Sequence, residues 1–250
     1  MKEKYAGSPL PPAQPRLGAA PGAGPCAACA VRMLSVCGVI EESDLGRLGA
    51  IAKPLEAAAH RTFVTAGDPA DFLFNITEGV VKVYRLLPDG RQQITGFLFP
   101  GDFLGLGADG IYGFSAEAVT PVRYCRFERK ALMRLLVEFP LMEQRLLAIA
   151  SSELAAAQEQ MVLLGRKTAR EKVASFLTAL SRRVRNSESA RERFELPMSR
   201  ADIADYLGLT TETVSRTFTQ LREEGLIELP KGGGVRLRSR TALAEIGEGG

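Results

Sequence analysis

Hydrophobic and polar positions change period twice along the chain. Between about residues 60 and 127 short apolar runs alternate with turn residues. Phe63-Val64, Asp71 to Ile76, Val80 to Tyr84, Gln93 to Leu98 and Val119 to Phe127 are rich in β-branched and aromatic side chains. Gly67-Asp68, Glu78-Gly79, Pro88-Asp89-Gly90 and Pro100-Gly101-Asp102 separate them. Strands this short and this regularly punctuated predict an antiparallel barrel or roll. From about Arg129 the period becomes helical. Leu147, Ala150, Leu154, Ala157, Met161 and Leu164 recur at steps of three and four, the seam of a coiled-coil-like helix. No Gly or Pro interrupts residues 141–164, so one long helix is expected, paired with a second copy. Packing on its own domain is the bland alternative. The small Ala150 and Ala157 would let two such helices approach closely. Ahead of the roll, Glu41 to about Ala52 reads as a short helix capped by Ser43 and ended before Pro54. The sole histidine, His60, needs no role beyond a partly exposed loop or strand position.

Charge changes the picture in the last third. Residues 166–240 hold 16 Lys and Arg against 10 Asp and Glu, although the whole chain is only +3. A basic excess concentrated this way is the footprint of a nucleic-acid binder. Within it, Met198 to Arg216 has helix-turn-helix form. Ser199 caps the first helix with Asp202 at the capping-box position, and Ala204 is small where a second helix must cross. Gly208 supplies the tight turn, and Thr210 caps the second helix. Val214, Phe218 and Leu221 lie at i, i+4 and i+7 and form the buried face. Glu212, Ser215 and Arg216 share another face near the N-terminus, where a recognition helix meets base edges; Thr211 and Thr213 stand beside them. Arg suits guanine O6 and N7, Glu accepts from cytosine N4, and Ser serves either partner. The bland reading is a solvated face with a Glu212–Arg216 pair, worth about 0.2–0.5 kcal/mol. Leu226 to Leu229, the Gly232-Gly233-Gly234 turn and Val235 to Leu237 read as a two-stranded wing.

Composition adds bounds. Hydrophobic content of 46% and charged content of 24% are ordinary for a globular chain. Residues 1–25 contain six prolines, and a leader of that kind is expected to be disordered. The division expected is therefore leader 1–25, cysteine loop and roll 26–137, dimerisation helix 138–165, and winged helix-turn-helix 166–250, an α+β fold. No apolar run reaches the ~18 residues of a membrane span, and Met1-Lys2-Glu3-Lys4 opens no signal peptide. A cytoplasmic location is expected, where stable disulfides are rare.

That setting sharpens four cysteines, Cys26-x2-Cys29-x7-Cys37 and a distant Cys125. A [4Fe–4S] cubane and a tetrahedral zinc both take four thiolates. Spacing does not choose between them, and four unrelated buried thiols are a third reading. An electron-transfer protein would use the same cluster but leaves the helix-turn-helix without a purpose. With one histidine and no phosphate loop or nucleophile constellation, no catalytic assignment is invited. The chain is read as a non-enzyme.

From Cys26 to about Ile246 the chain resembles the CRP/FNR superfamily of bacterial transcription regulators, and specifically the oxygen-sensing FNR/FixK (FnrL-like) branch. The resemblance rests on the order of elements, on Gln93-Ile94-Thr95-Gly96-Phe97, on Pro100-Gly101-Asp102, on Glu212-Thr213-Val214-Ser215-Arg216 and on the four cysteines. It implies that the roll is a cyclic-nucleotide-binding-like sensor domain. It implies that Cys26, Cys29, Cys37 and Cys125 hold an oxygen-labile [4Fe–4S] cluster, which oxygen converts to a smaller [2Fe–2S] form. It further implies that Glu212, Ser215 and Arg216 read a TTGAT-type half-site, so that a homodimer binds a TTGAT-N4-ATCAA-like palindrome. The function implied is an oxygen-responsive regulator, mainly an activator, contacting RNA polymerase partly through the Leu87 to Gln93 hairpin tip. Two departures stand out. The x7 gap is longer than in the enteric FNR type, and Ala157 stands where enteric FNR carries a seam aspartate. Without like charges opposed across the seam, the cluster-free form is expected to dimerise more readily. Cyclic-nucleotide binders resemble one another in a Gly-Glu and an Arg-Ser pair. Here the places read Gly101-Asp102 and Phe114-Ser115-Ala116, leaving a cyclic phosphate without its bidentate partner. A haem sensor has only His60 to use and no Cys-x-x-Cys-His.

Overall fold

The structure is a computed structural model that describes residues 24–107, 110–184, 193–230 and 233–249. The expected leader lies almost wholly outside these residues. Helix α1 (Gly24–Ala27) is followed by short 3-10 turns at Arg32–Leu34, Val36–Val39 and Glu42–Asp44, then by α2 (Leu45–Ile51). Eight strands come next: β1 (Ala52–Ala57), β2 (Thr62–Val64), β3 (Phe72–Glu78), β4 (Val81–Leu86), β5 (Gln92–Leu98), β6 (Phe103–Leu104), β7 (Ser115–Ala118) and β8 (Val122–Glu128). They form two antiparallel sheets, β1-β8-β3-β6 and β2-β7-β4-β5. The roll expected from the strand spacing is present.

One local expectation fails: Ser43 caps nothing, lying in the 3-10 turn, and Asp44, at the N-cap of α2, makes no side-chain cap bond. The helix does end before Pro54, at Ile51, and Pro54 itself sits inside β1, opposite Cys125. An edge strand tolerates proline because one side of its backbone needs no donor, and β1 is an edge. Strand β7 reads Ser-Ala-Glu-Ala, with no strand former; it is extended because β2 and β4 flank and pair with it. His60 is an exposed turn residue with φ 64°, a conformation histidine tolerates better than most side chains.

Side-chain alternation sorts the roll into two apolar layers. Val64, Phe74, Ile76, Val81, Ala116 and Tyr124 meet between the sheets, with Phe63 stacked on Tyr124 at 4.7 Å. Leu73, Phe103 and Phe127 point the other way and pack with Val36, Cys37, Leu45 and Leu48. Leu132 of α3 (Arg129–Glu138) and Met142 of α4 (Pro140–Arg166) close that layer. Pro140 opens α4, and the residue before it, Phe139, is forced out of helical geometry at φ −123° and ψ 77°. At 27 residues, α4 is about 40 Å long.

The C-terminal unit comprises α5 (Ala169–Val184), β9 (Arg193–Phe194), α6 (Arg200–Leu207), α7 (Thr211–Glu223), β10 (Ile227–Glu228), β11 (Val235–Leu237) and α8 (Arg240–Glu248). The wing has three strands, ordered β10-β11-β9, rather than two. Its core of Val173, Leu177, Ile203, Leu207, Val214, Phe218 and Leu221 continues onto Tyr84, Ile94 and Phe97 of the roll. The winged unit is thus seated on the outer face of the second sheet.

Candidate functional site

The cysteine loop folds around one serine. Ser35 is fully buried; its hydroxyl accepts from the Cys37 N–H at 3.2 Å and donates to the Arg32 carbonyl at 3.0 Å. Gly38 is required by close approach: a Cβ there would stand 3.0 Å from the Arg32 carbonyl and 3.1 Å from Met33 Cα. Cys125 arrives from the sheet, on β8 between Pro54 of β1 and Asn75 of β3. All four thiols are free; Cys26 and Cys37 are buried, Cys29 and Cys125 half-buried.

The four share one electrostatic environment. Burial pushes the Cys37 thiol up to about 12, Ser35 opposing it and the other three cysteines adding to it. Burial, then Cys29 and Cys26, push Cys125 up to about 11. Cys26 is raised by burial and Cys29, with the Arg32 guanidinium opposing. Burial thus holds Cys26, Cys37 and Cys125 in the thiol form at neutral pH, and a bound group must displace those protons. Among the described residues, no three His, Cys, Asp or Glu side chains close on a single metal-ion position. The pocket also holds unpaired polarity: Arg32 Nη1 and Asn75 Oδ1 are buried without a hydrogen-bond partner. An all-thiol donor set next to the half-buried Arg32, whose Nη1 is unpaired, fits an anionic thiolate-bound group, as both the [4Fe–4S] cluster and a four-thiolate zinc are.

On α4, Leu147, Leu154 and Met161 are 67%, 61% and 66% exposed at intervals of seven, a bare apolar stripe. Ala150 is half-buried and Ala157 exposed. Leu164 differs from the seam expectation. It turns into the winged unit, near enough to Gly208 that a Cβ there would meet it at 3.2 Å. The bare stripe therefore ends at Met161.

The helix-turn-helix forms as its caps dictate. Asp202 N–H donates to Ser199 Oγ at 3.0 Å, and Ser199 N–H donates to the Asp202 carboxylate at 3.0 Å. Gly208 takes φ 61°, and Thr210 Oγ1 accepts from Thr213 N–H at 3.1 Å. Val214, Phe218 and Leu221 are buried. Glu212 and Arg216 side chains are 73% and 78% exposed and paired at 2.8 Å. Thr211 and Ser215 are exposed beside them. Thr213 is half-buried with its hydroxyl bonded to Thr210.

The contacts seating this unit on the roll were not read from the sequence. Lys82 Nζ bridges Asp202 at 3.0 Å and Glu117 at 3.2 Å. Burial works against the Lys82 ammonium, but Asp202 and Glu117 outweigh it and raise its pKa. Gln93 donates to the Asp205 carbonyl at 2.7 Å, and Arg183 pairs with Asp102 at 2.5 Å. Burial raises the Asp102 carboxyl although Arg183 opposes it. The one available signal was that Gln93 and Asp102 lie in the quoted motifs.

Comparison with known proteins places these pieces together. Residues 171–246 match the Crp-like helix-turn-helix domain, and residues 54–139 the cyclic nucleotide-binding domain. The nitrogen fixation regulation protein FixK of Bradyrhizobium diazoefficiens is 42% identical over 208 residues, 83% of this chain and 88% of that protein. The transcriptional activator protein FnrL of Cereibacter sphaeroides is 38% identical over 209 residues, 82% and 84% of the two chains. The structure of FixK2 from Bradyrhizobium japonicum superposes with a TM-score of 0.73 at 35% identity, covering 78% of this chain and 97% of that one. With its roll, long helix and winged reading head, the chain belongs to the CRP/FNR family of DNA-binding transcription regulators.

Proposed function

We propose that this regulator is oxygen-responsive and binds a TTGAT-N4-ATCAA-like palindrome as a homodimer while its four cysteines hold an oxygen-labile [4Fe–4S] cluster. The observation that carries the reading is that the four cysteines lie near enough to influence one another electrostatically, with Cys26, Cys37 and Cys125 packed in the layer that holds the start of α4. Cys26, Cys29, Cys37 and Cys125 would hold the cluster, which would supply an oxygen-sensitive cross-link between the Cys26–Cys37 loop and the strand bearing Cys125.

The loop touches both moving parts. Arg145 of α4 donates to the Leu34 carbonyl at 3.3 Å. Leu34 also packs on Gly101, where a Cβ would meet it at 2.9 Å. The next residue, Asp102, holds Arg183 of α5. Ordering the loop favours an α4 presented for pairing through Leu147, Leu154, Ala157 and Met161. Two α7 helices then engage two half-sites as one bivalent reader. Glu212, Ser215 and Arg216 face bases, with Thr211 beside the backbone. The β4–β5 hairpin tip, with Leu86 and Leu87 exposed, is assigned to RNA polymerase. A cytoplasmic location follows from these partners; no described helix is long and apolar enough to cross a membrane.

A cyclic nucleotide is the reading the roll's own family suggests. Its interior argues otherwise, because Phe63, Phe74, Tyr112 and Tyr124 rings fill it. Ser115 Oγ is engaged by the Ala66 N–H at 3.1 Å. Four-thiolate zinc remains the competitor at the cysteines. Anaerobic purification with iron, sulfide and zinc analysis, then air admitted while operator binding is followed, separates the two. Brown protein that loses binding in air is expected. Colourless, zinc-containing protein with air-indifferent binding overturns the sensor reading and leaves the DNA-binding one.

A further inference from the structure

We propose that Asn75 and Arg32 line the four-thiol pocket as hydrogen-bond donors to the sulfur atoms of the group bound there, and so set how long it survives oxygen. The inference rests on the thiol-site reading above and extends it to two side chains that are not ligands. Asn75 is 1% exposed in the middle of β3, and its Oδ1 has no partner. Its register partner on β8 is Cys125. Directly opposed residues of an antiparallel pair leave the sheet on the same side, with Cβ atoms about 4.5–5.5 Å apart.

Alternation fixes which side that is. Leu73, two residues before Asn75, and Phe127, two after Cys125, belong to the layer that contains Cys26 and Cys37. Phe74 and Tyr124 point into the roll instead. The Asn75 amide therefore stands beside Cys125 on the thiol-bearing side of the sheet, and a half-turn about χ2 presents its NH2 to that sulfur.

Arg32 reaches the same pocket from the loop, between Cys29 and Cys37. Its Nη1 is buried without a partner, and its charge counteracts burial at the Cys26 thiol. A buried polar atom left unpaired destabilises the fold. Arg32 Nη1, beside Cys26, is a donor without an acceptor, and the turned Asn75 amide offers a second donor beside Cys125, so both fit an acceptor that arrives with the bound group. Thiolate and sulfide sulfurs accept N–H bonds, and such bonds set the potential and lifetime of thiolate-bound iron. In the group-free chain the same two side chains stabilise nothing.

The full-length wild type, Asn75→Leu, Arg32→Gln and Arg32→Lys are reconstituted anaerobically with iron and sulfide. Loss of the visible chromophore is timed after a measured addition of oxygen, and its reduction potential is recorded. Equal iron and sulfide content is expected throughout. Asn75→Leu and Arg32→Gln should bleach roughly tenfold faster at a lowered potential, and Arg32→Lys, which keeps a donor and the charge, should match wild type. Group-free Asn75→Leu should unfold at the same or a higher temperature than wild type, opposite in sign to its effect on the loaded protein. If Asn75→Leu fails to fold, the Arg32 pair carries the comparison. Wild-type bleaching rates and potential in Asn75→Leu and Arg32→Gln overturn this inference alone. A wild type that takes up no chromophore overturns the four-thiol reading and this inference together.

Discussion

Arg216 can leave Glu212 at little cost. Both side chains are largely exposed and sit one turn apart on α7, and a pair of that kind is worth only about 0.3–0.5 kcal/mol. Its guanidinium is thus free to take a guanine edge when DNA arrives. Arg216→Ala is expected to weaken each half-site by about 1–3 kcal/mol and to relax discrimination at one base pair. Competition binding against operators substituted position by position reads both effects. Gly38 is the opposite kind of residue, constrained by backbone rather than open to solvent. Gly38→Ala would press its methyl on the Arg32 carbonyl and Met33 and deform the turn that carries Cys37. Iron uptake should fall sharply while binding of the winged unit to DNA at high protein concentration persists. Gln93 and Asp102 show how far residue-level reading reaches: their motifs were visible, but not that they hold Asp205 and Arg183.

At the scale of elements, α4 performs two tasks along one length. Its N-terminal half packs Met142 and Leu146 into the cysteine-loop layer, and its end packs Leu163 and Leu164 into the winged unit. Only the stripe between them is left bare. Leu154→Asp is expected to abolish dimers in sedimentation while leaving the melting of the protomer nearly unchanged, because Leu154 is largely exposed within its own chain. An equal loss of protomer stability would place Leu154 in a fold contact instead. The period of the helix was plain in the sequence. Where the bare stripe stops was not, because Leu164 obeys the same period as Met161 and differs only in what the fold brings against it. Helix α7 was more transparent: Thr210, Gly208 and the Val214, Phe218, Leu221 face act within a few residues of one another. Thr210→Ala should cost about 1 kcal/mol, read by thermal unfolding.

In the whole molecule the winged unit is held against the roll by a shared apolar core and by polar contacts, among them those of Lys82, Gln93 and Arg183. Asp202 serves twice, in the cap of α6 and in the bridge to Lys82. Burial raises its carboxyl, but bonds from Ser199 and Lys82 outweigh this and leave its pKa below the ordinary value. A depressed carboxylate contributes stability above its unfolded pKa and loses it as pH falls through the folded one. The raised Lys82 contributes below its own unfolded pKa and loses that as pH rises through the folded one. The bridge is therefore intact across the neutral range. Lys82→Met is expected to lower the melting temperature by a constant amount from mildly acidic to mildly alkaline pH. The difference should vanish only at the extremes, in strong acid where Asp202 protonates and in strong alkali where Lys82 loses its proton. A difference that changes steadily through neutrality would contradict this assignment.

The sequence by itself determined what acts locally: the strand period and turns of the roll, the long amphipathic helix, the helix-turn-helix with both caps, and a set of four thiols. Apart from the distant Cys125, each depends on neighbours close along the chain, where propensity and spacing suffice. Tertiary structure alone decided that Cys125 stands opposite Asn75 and Pro54, that Ser-Ala-Glu-Ala is a strand, and that Lys82 meets Asp202. It also decided that the cysteine loop rests on α4 and the turn before Asp102. These are pairings across tens of residues, fixed by sheet register and by the burial of whole faces, and no local pattern encodes them.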